Sequence, residues 1–371
     1  MRVVYVLTSL GMGGAEKLAL ALGERMADRG HQTAFLVLRP PVAQQWPTSL
    51  EAIHLDVRRS PASFFAGLSQ ARRFVAAFRP DIVHGHCFHA NMMSRLLGLF
   101  SPRPVVVSTI HNVYEGGWPR MIAYRITDGL SHGTIAVSQA AAERFARLKA
   151  VPAPRCNVIV NGIDVREFFP DPARRLRARA ALGVPNSPEE SAFLWLAVGR
   201  IAPAKDYPNL LHAFAHVRAG RPDVQLCIAG EYAAHNLIAL QSLAAELNLA
   251  ESVHWLGLRR DVPALLDAAD GFVLASAWEG MPLAVAEAMS MEKPVVATAV
   301  GGVRELVGDA GLVVPSHHPD ALAAAMHDVM QRSREERCAL GRSARMRIVR
   351  QFSMDANADR WEALYRKLLA R

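Results

Sequence analysis

No run in this chain of 371 residues stays apolar for the roughly 18 residues that a membrane-crossing helix requires. The first apolar run, Val3 to Leu7, gives way to glycines too soon to form the core of a secretory signal. The expected location is therefore the cytoplasm. Cysteine is scarce: Cys87, Cys156, Cys227 and Cys338 stand far apart with no Cys-x-x-Cys pair, which argues against a disulfide framework or a zinc ribbon. Low-complexity tracts are missing too, and a composition 51% hydrophobic and 20% charged is that of a folded globular protein. Aromatic residues are few and are not interleaved with the basic ones as stacking platforms for nucleic acid would be, so nucleic acid is not an expected partner.

Charge is present but lopsided. The formal net charge is +8, and residues 1 to 168 carry 19 Lys+Arg against 11 Asp+Glu while residues 169 to 371 carry 23 against 23. The first half is expected to meet something anionic, whether nucleic acid, a membrane surface or a phosphorylated substrate, and charge by itself does not choose. The segment Ser63 to Arg79 adds a candidate surface. It reads as an amphipathic helix with Phe64, Leu68, Ala71, Val75 and Phe78 on one stripe, Arg72 and Arg73 off it, and Arg58, Arg59 and Arg79 flanking it. Such a stripe either packs on a sheet or lies on anionic lipid. Trp118, Met121 and Tyr124, beside Arg120 and Arg125, form a second candidate contact.

A chain of this length exceeds what one core usually serves, so two domains are expected. Short apolar runs alternate with helical patterns from Val3 to Leu7 through Thr33 to Leu38, Ile82 to His84, Val105 to Thr109, Thr134 to Val137 and Val158 to Val160, with helices at Ala15 to Arg29, Phe64 to Phe78, Asn91 to Leu99 and Gln139 to Leu148. After a polar, helix-containing linker at Pro170 to Glu190, a second series runs Phe193 to Val198, Val224 to Ala229, Val253 to Leu256, Gly271 to Leu274, Pro294 to Thr298 and Leu312 to Val314. This is the rhythm of two doubly wound α/β domains, each binding ligands beyond the carboxyl ends of its strands.

Those ends carry the unusual residues. Gly11-Met12-Gly13-Gly14-Ala15-Glu16-Lys17 follows the first strand and opens a helix, where main-chain amides can cradle a phosphate. As a dinucleotide fingerprint it fails, because Glu16 stands where a third Gly or Ala belongs; a tight turn without ligand is the plainer alternative. In the second half Gly199-Arg200 follows a strand and Lys205 lies in the same loop, a planar fork and a point charge that suit a diphosphate. Glu279-Gly280-Met281-Pro282-Leu283 then precedes a helix containing Glu287. Free amides at its start, with carboxylates at Glu279 and Glu287, can meet phosphate or polyol oxygens. Gly301-Gly302 offers a further amide cluster. His84-Gly85-His86 with His89 has a spacing that also permits a metal.

In this order the segments resemble glycosyltransferase family 4, the retaining group with a GT-B fold. The segments are Gly-Gly-Ala-Glu-Lys at 13 to 17, Asp-Ile-Val-His-Gly-His at 81 to 86, His-Asn at 111 to 112, Ala-Val-Ser-Gln at 136 to 139, Asn-Gly-Ile-Asp at 161 to 164, Val-Gly-Arg at 198 to 200, Lys-Asp at 205 to 206, the run from Trp278 to Met289, and Pro294 to Gly302. The resemblance spans nearly the whole chain and implies two Rossmann-like domains, 1 to 168 for acceptor and 169 to 354 for donor, facing across a cleft, with a C-terminal helix at 355 to 371 returning to the first. It implies a hexose or N-acetylhexosamine taken from a nucleotide diphosphate sugar, most often a UDP-sugar, and placed on a glycan or lipid-linked acceptor in bacterial surface polysaccharide or lipopolysaccharide assembly. A soluble small-molecule acceptor and a sugar-nucleotide 2-epimerase are the alternatives.

By resemblance Arg200 and Lys205, beside Gly199, hold the diphosphate, Glu287 the ribose hydroxyls, and Glu279 with the Gly280, Met281, Pro282 and Leu283 amides the transferred sugar. Gly13 and Gly14 approach the donor phosphates or the acceptor. His111 matches the family's active-site histidine, and the acceptor side falls to His86, His89 and Asn112. Where the family often has Phe-Gly or Phe-Pro, this chain has Met281-Pro282. The family's favoured retaining route is front-face attack assisted by the leaving diphosphate, with no carboxylate nucleophile. The chain has no Asp-x-Asp, so no metal and no resident cofactor is expected, with Arg200 and Lys205 supplying the positive charge. Membrane contact would be peripheral, on the cytoplasmic face.

Overall fold

Val3, Tyr5 and Leu7 point to one side of the first strand and Val4 and Val6 to the other, and all five are buried. A strand covered on both faces belongs inside a parallel sheet flanked by helices. The computed structural model describes residues 1–11, 13–41, 50–58, 60–100, 104–184 and 192–371; Met12 of the glycine turn, Arg59 of the basic flank and linker residues 185 to 190 lie outside them. The chain forms two compact units, one of Met1–Gly162 with Ser353–Arg371 and one of Ile163–Phe352.

In the first unit the order is β1 (Arg2–Leu7), α1 (Gly14–Asp28), β2 (Gln32–Val37), β3 (Ala52–His54), α2 (Pro61–Phe78), β4 (Ile82–His86), α3 (Cys87–Leu97), β5 (Val105–Ile110), α4 (Trp118–Thr127), β6 (Gly133–Ala136), α5 (Gln139–Arg147) and β7 (Cys156–Val158). The second unit has α6 (Pro172–Ala181), β8 (Leu194–Val198), α7 (Tyr207–Gly220), β9 (Gln225–Ala229), α8 (Ala234–Glu246), β10 (Val253–Gly257), α9 (Val262–Ala268), β11 (Gly271–Leu274), α10 (Leu283–Ser290), β12 (Val295–Thr298), α11 (Val303–Val307), β13 (Leu312–Val314), α12 (Pro319–Gln331) and α13 (Arg334–Gln351). The last helix, α14 (Met354–Leu369), belongs to the first unit, where Trp361, Tyr365 and Leu368 join Tyr5, Leu7 and Phe35 in one core. Arg25 of α1 pairs with Asp355 at 2.5 Å, and Arg29 with Asp359 and Glu362.

The sheet orders are β3-β2-β1-β4-β5-β6-β7 and β10-β9-β8-β11-β12-β13, parallel in every pairing. Each reverses direction once, between β1 and β4 and between β8 and β11. At such a switch point the loops leave to opposite faces and open a crevice at the carboxyl ends.

Several boundaries differ from the sequence pattern. Helix α3 begins at Cys87, directly after β4, because Cys87 adopts the left-handed conformation (φ 67°) and turns strand into helix in one residue; His89 is therefore helical. Strand β7 lies at Cys156–Val158, paired with Thr134 to Ala136, two residues earlier than Val158 to Val160. Strand β3 and helix α4 are not among the elements expected from the sequence; Pro119 in the first turn of α4 and the buried Met121 and Tyr124 define that helix.

The stripe on α2 faces inward. Ala71 and Val75 are buried and Phe64, Leu68 and Phe78 pack around the Val4, Val6 and Val83 face of the sheet, so the stripe is core and is not a lipid-facing surface. Arg72 stacks over Phe100 at 3.8 Å. Of the second candidate contact, Met121 and Tyr124 are likewise core, and only Trp118 is exposed.

The second unit is tied at its start by arginines from α6. Arg179, fully buried, bonds Asp270 at 3.1 Å and the carbonyls of Ala268 and Ala192, while Arg175 pairs with the same Asp270 at 2.6 Å. Removing one partner strands a buried charge. Asp270→Ala is expected to lower stability by about 3–5 kcal/mol in urea unfolding; a loss under about 1 kcal/mol, the range of exposed pairs, would show that Arg179 is satisfied by its carbonyls alone.

Candidate active site

Lys205 ends a short turn after β8, and Glu279 follows β11, so the two stand on either side of the second unit's switch point. The structure brings them together: Lys205 Nζ lies 2.6 Å from Glu279 Oε1, and the Ser276 hydroxyl donates to the same oxygen at 2.8 Å. Lys205 reaches Glu279 by lying flat on Gly199, where an added Cβ would sit 2.7 Å from the lysine Cε. Tyr207 at the start of α7 donates to the Gly199 carbonyl at 2.7 Å and fixes the loop from the other side. Arg200 is exposed, with Glu231 as its acidic neighbour at 3.9 Å, so its guanidinium is free to swing toward an anion.

The Glu279 to Leu283 segment is pinned by Gly301. Gly301 has φ 54° and packs onto the Glu279 and Gly280 main chain so closely that a Cβ would overlap the Glu279 carbonyl; only glycine fits both demands. Gly302 donates its amide to the Gly280 carbonyl at 2.7 Å, and the Thr298 hydroxyl donates to the Ser276 carbonyl at 2.7 Å. These contacts hold Gly280, Met281, Pro282 and Leu283 at the start of α10, with Pro282 as its N-cap. Glu287, inside α10, is 6% exposed.

The first unit groups its candidates around the end of β4 and β5. His86 Nδ1 and His111 Nε2 are 2.9 Å apart. The main-chain amide of His111 donates to Glu115 Oε1 at 2.9 Å, and Tyr124 of α4 donates its hydroxyl to Glu115 Oε2 at 2.6 Å. Burial pushes the Glu115 carboxyl up to about 7, against the stabilising bonds from Tyr124 and the His111 amide. Burial also lowers His111 to about 4 and holds His84 and His86 well below the usual histidine range. These imidazoles are neutral at physiological pH. Glu115 had no signal in the sequence beyond being a lone acid in a glycine-rich loop.

Other candidates are placed differently. Both nitrogens of His84 are taken, by Tyr365 at 2.7 Å and Thr109 at 2.6 Å. Among the described residues no group of three His, Cys, Asp or Glu is arranged to hold a metal ion. His89 is exposed, its pKa lowered by desolvation and by Arg120 and Arg39. Asn112 accepts the Tyr114 amide at 3.2 Å and so shapes the turn after His111. Gly13 is the N-cap and Gly14 the first residue of α1, but Glu16, held by the Ser9 hydroxyl at 3.0 Å, folds over Gly13; an incoming phosphate would have to displace that carboxylate.

Residues 184–347 match the family model described as Glycosyl transferases group 1, and residues 12–167 the model described as Glycosyltransferase Family 4. The chain is 26% identical over 302 residues to the UDP-Gal:alpha-D-GlcNAc-diphosphoundecaprenol alpha-1,3-galactosyltransferase of Escherichia coli, covering 77% of this chain and 75% of that one. It is 30% identical to a D-inositol 3-phosphate glycosyltransferase of Pseudarthrobacter chlorophenolicus over 76% of this chain and 69% of the other. In fold it is similar to Anabaena Alr3699/HepE, solved in complex with UDP and glucose, with a TM-score of 0.85 at 20% identity over 99% of this chain and all of that one.

The Glu115 carboxyl sets a stability slope. Its folded pKa of about 7 lies above its ordinary value of 4.5, so folding binds the proton more tightly and this stability is present below about pH 4.5 and lost as pH rises through 7. The shift corresponds to roughly 3 kcal/mol. Glu115→Gln is expected to flatten the fall of Tm between pH 5 and 8; an unchanged slope in a pH series of melts would show that the carboxyl titrates normally.

Proposed function

The chain belongs to the family 4 glycosyltransferases, GT-B enzymes that use sugar-nucleotide donors, and from that premise we propose that it is a retaining enzyme moving a hexose or N-acetylhexosamine from a UDP-sugar to a lipid-linked or glycan hydroxyl. The observation that carries the reading is the Lys205–Glu279 pair at 2.6 Å, a cation and a carboxylate held together at the switch point of one sheet. In the proposed complex Lys205 and the mobile fork of Arg200 neutralise the leaving diphosphate. Glu287 accepts from the ribose hydroxyls, and Glu279 with the amides of Gly280 to Leu283 orients the transferred sugar. His111 is assigned a contact with the transferred sugar. No protein carboxylate attacks the anomeric carbon; the departing diphosphate helps take the acceptor proton. The charge of the two cations stands in for a metal.

The acceptor reading takes support from the galactosyltransferase relative, whose name specifies a diphosphoundecaprenol substrate, and from the outward face of α4. Trp118, Ile122 and Ile126 recur every fourth residue there, 67%, 53% and 74% exposed, with Arg125 beside them and no acid in the first turn. The unit that carries this ridge holds 22 Lys+Arg against 12 Asp+Glu, whereas the other holds 20 against 22. An exposed Trp and isoleucine ridge in a basic setting suits an anionic bilayer surface. No helix among the described residues is long and apolar enough to cross a membrane, so the contact would be peripheral.

A panel of nucleotide sugars read by thermal stabilisation identifies the donor, with UDP-sugars expected to raise Tm. Lys205→Ala and Glu287→Ala are each expected to lose about 2–4 kcal/mol of transition-state stabilisation with an unchanged fold, and transfer is expected to persist in excess chelator. Near-wild-type turnover in either variant overturns the donor assignment; loss in EDTA restored by manganese overturns the metal-free chemistry. Sedimentation with vesicles is expected to show binding to anionic lipid that weakens with salt and is lost in a Trp118→Ser, Ile122→Ser double variant. Equal partitioning onto neutral vesicles rejects the anionic surface.

A further inference from the structure

The carboxyl end of β4 carries two histidines on one face with opposite environments. His84 satisfies both ring nitrogens within the core. His86, two residues on and 2% exposed, does not: its Nδ1 bonds His111 Nε2 at 2.9 Å, while its Nε2 is buried without a partner among the described residues. Leaving a ring nitrogen unpaired in the core is destabilising, and an apolar side chain would fill the space without that cost. What His86 does there is bond the second imidazole.

A neutral imidazole has one donor nitrogen and one acceptor, so the bond couples the two rings. If His86 donates from Nδ1, the His111 proton sits on Nδ1; if His86 accepts, it sits on Nε2. Either way His111 Nε2 is engaged, and His111 Nδ1, which bonds nothing among the described residues, is the nitrogen left for a ligand. The main chain of the same residue is held separately by Glu115, itself tied to α4 through Tyr124. His111 is thus anchored at two independent points, ring and backbone.

We propose that His86 is the positioning residue for His111: it orients the His111 ring and ties its tautomer to that of His86, so that Nδ1 is the nitrogen presented to the sugar being transferred. This rests on the reading of His111 as the group that meets that sugar, and it gives His86 a role without direct acceptor contact. His86 touches no substrate and acts only through its neighbour, as outer hydrogen-bond partners do for the histidines of metal sites.

Two kinds of measurement test it, on the full chain. In protein labelled with 15N-histidine, the two ring nitrogens of His111 are expected to report one tautomer. His86→Leu, similar in bulk and unable to bond, is expected to give a mixture, and His86→Asn, whose side-chain amide lies near the Nδ1 position and can donate or accept, to restore a single form. Release of UDP from UDP-glucose supplies the second readout. His86→Leu is expected to lower kcat roughly 10- to 100-fold with KM within about twofold, His86→Asn to recover most of the loss, and His86→Leu added to His111→Ala to cost nothing further. An unchanged tautomer in His86→Leu, equal losses in the Leu and Asn variants, or additive losses in the double variant overturns the proposal. Full activity in His111→Ala instead overturns the underlying reading of His111, which separates the two failures.

Discussion

Parallel strands all end at the same edge of a sheet, and a sheet that grows outward in both directions from its first strand must reverse its loops once at that edge. Several of the candidate site residues of this chain lie at or near those reversals. In the second unit the reversal lies between β8 and β11, and the loops after these two strands supply Lys205 and Glu279. In the first it lies between β1 and β4, and the residues beyond them include Gly13 and His86, with His111 one strand further. The crevice precedes the chemistry: hydrophobic strands buried on both faces fix the sheet, and the sheet fixes where polar side chains can converge.

Convergence requires backbone that ordinary residues cannot supply. Gly301 at φ 54° packs on the Glu279 carbonyl, and Lys205 lies over Gly199. Both glycines trade chain entropy for proximity, and both serve the same acid. A lysine and a glutamate lie at 2.6 Å with the Ser276 hydroxyl as a third partner, so these polar groups are in place before any ligand arrives. The first unit uses the opposite electrostatics. Burial keeps His84, His86 and His111 neutral and pushes the Glu115 carboxyl to about 7, giving a cluster held by neutral hydrogen bonds.

Helix α4 joins these themes. Its inner face delivers Tyr124 to Glu115 and thereby to His111, and its outer face exposes Trp118, Ile122 and Ile126. One face of the helix thus reaches the candidate site through two hydrogen bonds of 2.6 and 2.9 Å, and the other is exposed.

The strand rhythm, the two sheets and the ordered motifs were legible in the sequence because they follow from local patterning: buried parallel strands read as apolar runs, and glycine-rich turns mark their carboxyl ends. The sequence thus determined the fold class, the family, and which residues crowd the strand ends. It did not determine which way an amphipathic stripe faces. The α2 stripe at Phe64 to Phe78 fits a bilayer or a sheet equally by periodicity, and only the position of Val4, Val6 and Val83 beneath it decided for the sheet. Trp118, Met121 and Tyr124 stood in the sequence only as a candidate contact; in the structure they lie on helix α4, where Met121 and Tyr124 are packed inward. Glu115 and the pairing of His86 with His111 were equally hidden, since partners 25 residues apart meet only when β4 and β5 lie side by side. Sequence spacing fixes neighbours along one element; neighbours between elements, and with them burial and pKa, come from the tertiary structure alone.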